Sequence, residues 1–362
     1  MIFNMQNYWI QDAYNGCVPD DFHGGVKWQS PSNIALVKYW GKRDIQLPQN
    51  PSISFTLKNC RTETSVFFEK SDRFSIAFYF EGKMNALFES KIKDFIKDNI
   101  DYFPFLLHTE LIIHSHNTFP HSSGIASSAS SMSAFVMCLL DMERILKGKD
   151  SVSMQKGSYF SRLASGSACR SMIPTAALWG DTEGYPGSSD MYAIPLEKEI
   201  APVFKTFHDS ILVVSDAKKE VSSRAGHALM QTNPYAEARY ATARKDTAEL
   251  LQAMKTGDLE TFIRITESEA MQLHALMMCS DPSYILMKPN TLAIINAIHD
   301  FRKETDIPVC FTLDAGPNVH ILYPDEESEI VERFIMDELE SYCVGGQWIA
   351  DQIGNGASKM HE

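Results

Sequence analysis

Residues 120–133 read PHSSGIASSASSMS, and seven of these fourteen residues are serine. Composition alone would make this a flexible linker, but its neighbours exclude that reading. ELIIHSHN (110–117), just before it, has the β-branched character of a strand. Just after it, Ala129, Met132, Phe135, Val136, Leu139, Leu140 and Ile145 recur at helical spacing over 127–146, with Gly148 placed to stop the helix. The chain therefore runs strand, Gly/Ser loop, helix. Such a loop presents unpaired backbone N–H groups at the positive end of a helix dipole, and small residues let an anion approach them. A single serine would satisfy an ordinary cap; Ser127, Ser128, Ser130, Ser131 and Ser133 exceed that need. The stretch lacks G-x-x-x-x-G-K-[ST], which excludes a P-loop nucleotide site there.

A phosphate site here has to be local, because the 362-residue chain carries a net charge of −13 and a pI near 5.3. That balance excludes bulk binding to nucleic acid or anionic membrane. The cysteines Cys17, Cys60, Cys138, Cys169, Cys279, Cys310 and Cys343 are odd in number, widely spaced and without C-x-x-C, so neither a disulfide framework nor a structural zinc site is expected. The eleven histidines form no H-x-x-x-H, and no protein-held catalytic metal is expected. No basic-then-apolar leader opens the sequence and no apolar run approaches about 20 residues. These features predict a protein of the reducing cytoplasm.

The length and the 44% hydrophobic content predict two domains. Residues 1–25 read as an N-terminal extension, with Tyr8, Trp9 and Ile10 as the residues able to dock. A strand-rich domain follows over 26–200, with strands at 53–57, 64–69, 73–82 and 110–117 and helices at 86–100, 127–146 and 152–163. A further helical stretch is expected towards Trp179, then a loop at 181–190. The second domain, 201–345, opens on a strand at 211–215 and is otherwise largely helical (234–255, 258–279, 289–304 and 326–343), broken by a hairpin of 308–313 and 319–323. Residues 346–362 read as a tail. The pattern is α+β, without repeats.

Four stretches carry chemistry. Lys38, Lys42 and Arg43 crowd into SPSNIALVKYWGKRD (30–44), and Lys218, Lys219, Ser222, Ser223 and Arg224 into SDAKKEVSSRAGH (215–227). Basic residues beside hydroxyls suit an anion pocket, although each cluster alone also suits a solvated surface. In SGSACR (165–170), Arg170 has the fork geometry for a carboxylate, or for bridging two elements. In TLDAGPN (312–318), Asp314 ends an apolar strand; it serves either the turn itself or a substrate hydroxyl as a base.

NIALVKYWGKRD, NPSISFTL, SSGIASSAS, SGSACRS, SDAKKEVSS and DAGPN, in this order over residues 28 to 323, resemble the GHMP kinase superfamily and, within it, the diphosphomevalonate decarboxylase family. The resemblance implies a GHMP kinase fold: a ribosomal protein S5 domain 2-like N-terminal domain, an α+β C-terminal domain, an active site in the cleft between them, and a homodimer. It implies an enzyme that uses ATP with Mg²⁺ to phosphorylate the tertiary 3-hydroxyl of mevalonate 5-diphosphate. Loss of that phosphate then drives decarboxylation to isopentenyl diphosphate. By the same resemblance Asp314 orients or deprotonates the hydroxyl, Lys38 stands near the phosphoryl path, and Arg170, with Asn33 nearby, holds the substrate carboxylate. Ser122, Ser123, Gly124, Ala126, Ser127 and Ser128 touch the ATP phosphates. Tyr39, Lys42, Ser165, Ser167, Ser222 and Ser223 form the substrate shell.

The sequence departs from the family pattern in places. SGSACRS is followed by MIPTAALW, with Leu178 in an acidic place and Pro174 expected to kink a helix. Arg224 and His227 stand where relatives often have Thr and Met. A loop arginine of some relatives is missing, with Lys83, Lys91 or Lys93 as stand-ins. The alternatives are a mevalonate 5-phosphate decarboxylase, a kinase that stops at 3-phosphorylation, and a non-catalytic nucleotide-binding relative. A homoserine or galactose kinase would have no use for the KYWGKRD and SGSACR pair.

Overall fold

The structure is a computed structural model and is described over residues 2–120, 125–217 and 223–361. In chain order the strands are β1 (His23–Ala35), β2 (Lys42–Arg43), β3 (Leu47–Pro48), β4 (Ser52–Lys70), β5 (Ser75–Phe80), β6 (Lys83–Met84), β7 (Thr109–Asn117), β8 (Ala176–Trp179), β9 (Ala193–Pro195), β10 (His208–Leu212), β11 (Cys310–Leu313), β12 (Val319–Tyr323), β13 (Trp348–Gln352) and β14 (Ser358–Lys359). The helices are α1 (Ile2–Gln11), α2 (Ala86–Asp98), α3 (Ser127–Leu146), α4 (Met154–Ala164), α5 (Ser223–Leu229), α6 (Ala236–Thr256), α7 (Leu259–Met278), α8 (Pro289–Thr305) and α9 (Ser328–Phe334). The large sheet has the order β14-β1-β4-β7-β5-β6, with β8 pairing β4 and β9 pairing β8; the smaller one is β11-β12-β10-β13. This is the α+β class that the sequence predicts.

β4 organises the molecule. The sequence predicts two strands there, at 53–57 and 64–69. The structure makes one strand of 19 residues. The backbone N–H groups of Lys58, Asn59 and Cys60 all donate to the buried Asp351 carboxylate, at 3.0, 2.7 and 2.7 Å. A polar stretch that would otherwise turn is thereby kept extended. The far half of β4 pairs β7 and β1, and the near half pairs β8 and the end of β1. The register of β1 against β4 shifts between Pro31 and Asn33, where the missing proline donor costs the ladder nothing.

α3 lies across the large sheet and buries Phe135, Val136 and Leu139 against Val66, Leu111 and Ile113. A second core joins the two halves of the chain: Ile53, Phe55 and Leu178 meet Phe204, Phe207, Phe262 and Ile265. A third, with Ile294, Phe311, Ile321 and Phe334, sits between the small sheet and α8 and α9.

Several expectations are corrected. Residues 346–362 are no tail, since β13 pairs β10 and β14 pairs β1. Their strands are too short to show a period. The extension 1–25 is built into the body as well: α1 buries Trp9 against Tyr159, and Val18 and Phe22 join the same core. SGSACR itself forms most of a 3₁₀ turn (Gly166–Met172), and the chain then runs into β8, so Pro174 has no helix to kink. The helix expected over 326–343 is α9 followed by a π turn (Ile335–Leu339) and a 3₁₀ turn.

Ionic ties at Asp12 hold α1 down where periodicity offered little. Lys156 Nζ donates to Asp12 Oδ2 at 2.8 Å and to Glu143 Oε2 at 2.7 Å, and Lys147 donates to the Asp12 backbone carbonyl. Burial raises the Asp12 pKa, but Lys156 and Lys147 outweigh it and hold the carboxyl down at about 2. A depressed carboxylate stabilises the fold above its unfolded pKa and loses that contribution as pH falls through the folded value. We therefore expect the wild type to lose up to about 2 kcal/mol between about pH 4 and about pH 2 through this group, and Asp12→Asn to remove that part of the acid limb in urea unfolding. Identical acid limbs in the two proteins would refute the assignment.

Candidate active site

Four elements converge on a cleft of about 410 Å³: the loop after β1, the start of α3, the 3₁₀ turn after α4, and the β11–β12 turn, with α5 and α2 closing the sides. Its floor is Lys38, which is 1% exposed. Lys38 Nζ donates to the Ala35 carbonyl at 2.5 Å and faces Asp314 Oδ1 at 3.3 Å. Burial lowers the Lys38 pKa, and Asp314 and Glu269 work in the opposite direction. Asp314 projects from the end of β11 with its side chain a quarter exposed. Its backbone is fixed as well: the Asp314 carbonyl accepts Gly316 N–H at 2.7 Å and His274 Nε2–H at 3.1 Å. Burial pushes the His274 pKa down to about 4, so the ring is neutral near neutral pH.

A buried ion pair that the sequence reading missed holds the Lys38 backbone. Arg239 on α6 grips Glu269 on α7 with both ends of its fork, at 2.5 and 2.6 Å. Glu269 Oε2 also accepts Lys38 N–H at 2.7 Å, and Arg239 Nη2 donates to the Lys38 carbonyl at 3.3 Å. The signal was present: Ile265, Glu269 and Leu273 stand at i, i+4 and i+8, which puts a carboxylate on the apolar face of α7.

Arg170 is buried at the back of the cleft. Its Nε donates to Asn33 Oδ1 at 3.1 Å and its Nη1 to Ser52 Oγ, while Nη2 meets no acceptor among the described residues. Burial lowers its pKa, but a guanidinium starts so high that it stays charged. Asn33 does not line the cleft; it stands behind Arg170, with its Nδ2 donating to Ser171 Oγ at 2.8 Å. Ser165, Ser167, Tyr39 and Lys42 do line it. The Tyr39 hydroxyl is buried without a hydrogen-bond partner, as a group awaiting a ligand would be.

At the start of α3 the structure divides the serine run. Ser128 lines the cleft with Ala126 and Ala129, and its Oγ lies 3.2 Å from Ser165 Oγ. Ser130 and Ser133 turn the other way and bond Thr62 Oγ1 at 2.7 Å and Ser30 Oγ at 2.6 Å. Those hydroxyls lock the helix to the sheet, and the surplus of serine over capping need partly reflects that. Ser127 opens the helix but does not line the cleft. Ala126, in the left-handed region, provides no side-chain cap; its carbonyl accepts Ala129 N–H at 2.8 Å, and among the described residues no side chain caps the N–H groups of Ser127 and Ser128, a helix start suited to an anion. Ser122, Ser123, Gly124, Lys218, Lys219 and Ser222 lie outside the described residues; Ser223 begins α5.

Among the described residues the cleft wall carries Lys38, Lys42, Lys91, Arg170 and Arg224 against one carboxylate, that of Asp314. In a chain of net charge −13, that concentration fits a ligand with several negative charges. Of the three lysines expected as stand-ins, Lys91 reaches the site, with its Nζ 3.0 Å from Ser128 Oγ; Lys93 pairs with Glu89 and Lys83 is exposed. Arg43 faces away and pairs with Asp190. Among the described residues no three His, Cys, Asp or Glu side chains converge, so Mg²⁺ would be held chiefly by nucleotide oxygens, with Asp314 and the Ser128 hydroxyl as the protein oxygens at hand.

Two outcomes are expected. Glu269→Gln leaves Arg239 buried without its counter-charge and costs about 3–5 kcal/mol in urea unfolding; a loss below about 1 kcal/mol would show that the pair is not structural. Burial, and then Arg224, lower the Lys91 pKa to about 8. Its charge is therefore full below that value and lost above it, so calorimetric ATP affinity should fall from about pH 7 to about pH 9. Lys91→Met should flatten the dependence; an unchanged slope would remove Lys91 from the site.

Residues 30–193 match the diphosphomevalonate decarboxylase-like N-terminal domain, and residues 210–353 the mevalonate 5-diphosphate decarboxylase C-terminal domain. A diphosphomevalonate decarboxylase of Aspergillus fumigatus is 32% identical over 329 residues, covering 83% of this chain and 77% of its own. The crystal structure of mevalonate diphosphate decarboxylase from Staphylococcus aureus superposes with a TM-score of 0.81 at 27% identity, covering 94% of this chain and 98% of that one. A structure described as MDDEF in complex with MVAPP, AMPPCP and magnesium gives 0.79 at 26% identity, over 94% and 100%.

Proposed function

The chain belongs to the diphosphomevalonate decarboxylase family, and we propose that the cleft between α3 and the β11–β12 turn is where it decarboxylates mevalonate 5-diphosphate at the expense of ATP, with Asp314, Lys38, Arg170 and Ser128 in the reacting shell. One observation carries the residue roles: a carboxylate 3.3 Å from a fully buried ammonium, in a cleft whose other charges, among the described residues, are all positive.

The geometry supports a role for each. Arg170, tied down through Nε and Nη1, offers the rest of its fork to the substrate carboxylate. Asp314 accepts the proton of the 3-hydroxyl as that oxygen attacks the γ-phosphorus of ATP and ADP departs. Lys38 faces Asp314 before the step and meets the migrating phosphoryl charge after it. A tertiary alkoxide leaves poorly and a phosphate ester well. The bond to the carboxylate then breaks, its electron pair forms the new double bond, and phosphate leaves with the C–O electrons. Positive charge beside the leaving phosphate favours that step. Ser128 and the first N–H groups of α3 face the ATP phosphates, and Lys42, Ser165 and Ser167 face the substrate. Mg²⁺ neutralises charge on the ATP phosphates when bound.

The seven free cysteines support residence in the reducing cytoplasm, and no helix among the described residues is long and apolar enough to cross a membrane. The family likeness supports a homodimer. The reading is tested by coupled measurement of CO₂ and ADP from ATP, Mg²⁺ and mevalonate 5-diphosphate, with the 5-phosphate as control. Equal release with the diphosphate is expected, and Asp314→Asn should lower kcat by about 10³-fold or more while the KM for ATP changes little. ADP without CO₂ would make the protein a kinase, turnover of the monophosphate alone would move it to a different substrate, and an Asp314→Asn variant with near-normal kcat would overturn the assigned base.

A further inference from the structure

His227 stands where the sequence departs from the family pattern, and the reaction scheme above makes no use of it. It lies on α5, lines the cleft and is 8% exposed. Its ring lies between two aromatic rings, with centroids 4.4 Å from Tyr39 and 4.8 Å from Trp40. α5 sits so close to Trp40 that a Cβ on Gly226 would fall 2.4 Å from that ring. The imidazole therefore has little freedom to turn.

Its protonation is legible from one hydrogen bond. Gly41 N–H donates to His227 Nδ1 at 3.0 Å. A backbone amide can only donate there, so Nδ1 presents its lone pair and the ring proton sits on Nε2. Burial, and then the charge of Lys42, push the pKa down to about 3, so this neutral tautomer persists across the working pH range. The described residues give Nε2 no acceptor, although the ring borders the cleft. Arg224 and His227 stand at i and i+3 on one face of α5, and both line the cavity with Lys42. That end of the cleft is therefore the cationic end, and a neutral donor adds a contact there without adding to the mutual repulsion of Lys42 and Arg224.

We propose that His227 is a further substrate-binding residue, its Nε2–H donating to a phosphate oxygen at the phosphorylated end of the substrate beside Lys42 and Arg224. This rests on the reading of the cleft as the mevalonate 5-diphosphate site. The opposing possibility is that His227 serves only to anchor Gly41.

Two variants separate these. His227→Asn keeps an acceptor near Nδ1 for Gly41 but has no donor at the Nε2 position; His227→Gln places an amide donor near Nε2 and gives up the Gly41 bond. A donor role predicts that His227→Asn raises the KM for mevalonate 5-diphosphate, and the calorimetric Kd for inorganic pyrophosphate, by about tenfold or more, with kcat and the KM for ATP within about twofold. It predicts that His227→Gln recovers most of that loss. Near-normal binding in His227→Asn with a loss confined to His227→Gln would overturn the proposal and leave an anchor. Equal losses in both, with falling thermal stability, would also overturn it. The pyrophosphate measurement reads the phosphate end without turnover. It therefore decides His227 even if the wild type fails to release CO₂, an outcome that would count against the function and not against this contact.

Discussion

The geometry of the cleft depends on holding one buried lysine against a carboxylate without water around it. Lys38 is sealed under the cleft, and an isolated amine there would shed its proton. The surrounding protein opposes this at two levels. Asp314 and the Ala35 carbonyl take the Nζ donors directly. Glu269, clamped by Arg239, holds the backbone of the same residue and adds a second negative charge nearby. The four groups come from the end of β1, from α6, from α7 and from the β11 turn, so the placement of one lysine requires both halves of the chain to be packed as they are. This is why the second hydrophobic core, with Phe55 against Phe207 and Phe262, matters to chemistry it never touches.

The same arrangement reconciles an acidic protein with an acidic ligand. At long range the net charge of −13 repels a polyphosphate. Inside the cleft the balance inverts, and low-dielectric walls keep the cationic groups from being screened by each other's water. The two scales act on different steps, the outer field on encounter and the inner one on retention.

Much of this was legible in the sequence because the site residues sit in short contiguous runs. KYWGK, SGSACR and DAGPN each place a charged group next to small or aromatic residues, and the Ser-rich loop stands between a strand and a helix with unmistakable periods. Less legible were groups whose meaning lies in a distant partner. Asp351 looks like an ordinary tail aspartate until it meets the N–H groups of 58–60. Arg239 is one of many charges on a polar helix, and only the position of Glu269 on an apolar face hinted at its partner. The serine run was over-read for a related reason: a hydroxyl facing a sheet and one facing a ligand look alike in sequence, and helix phase alone assigns Ser130 and Ser133 to the sheet. Pro174 misled because SGSACRS looks like a helix start, whereas Thr175 takes a positive φ and the chain turns into β8.

The pairing of β14 with β1 bears on how the chain is made. Gln29 and Trp28 find their edge partners at Ser358 and Lys359, separated by almost the whole sequence, and Asp351 reaches back to the middle of β4, synthesised nearly three hundred residues earlier. During vectorial synthesis the amino-terminal sheet therefore emerges with one edge bare and the middle of its longest strand unsupported, an interval in which an exposed strand edge invites pairing with another chain. Contacts of such long range also slow the search for the native topology. That edge of β1 stays open until the strand at 358–359 has been made.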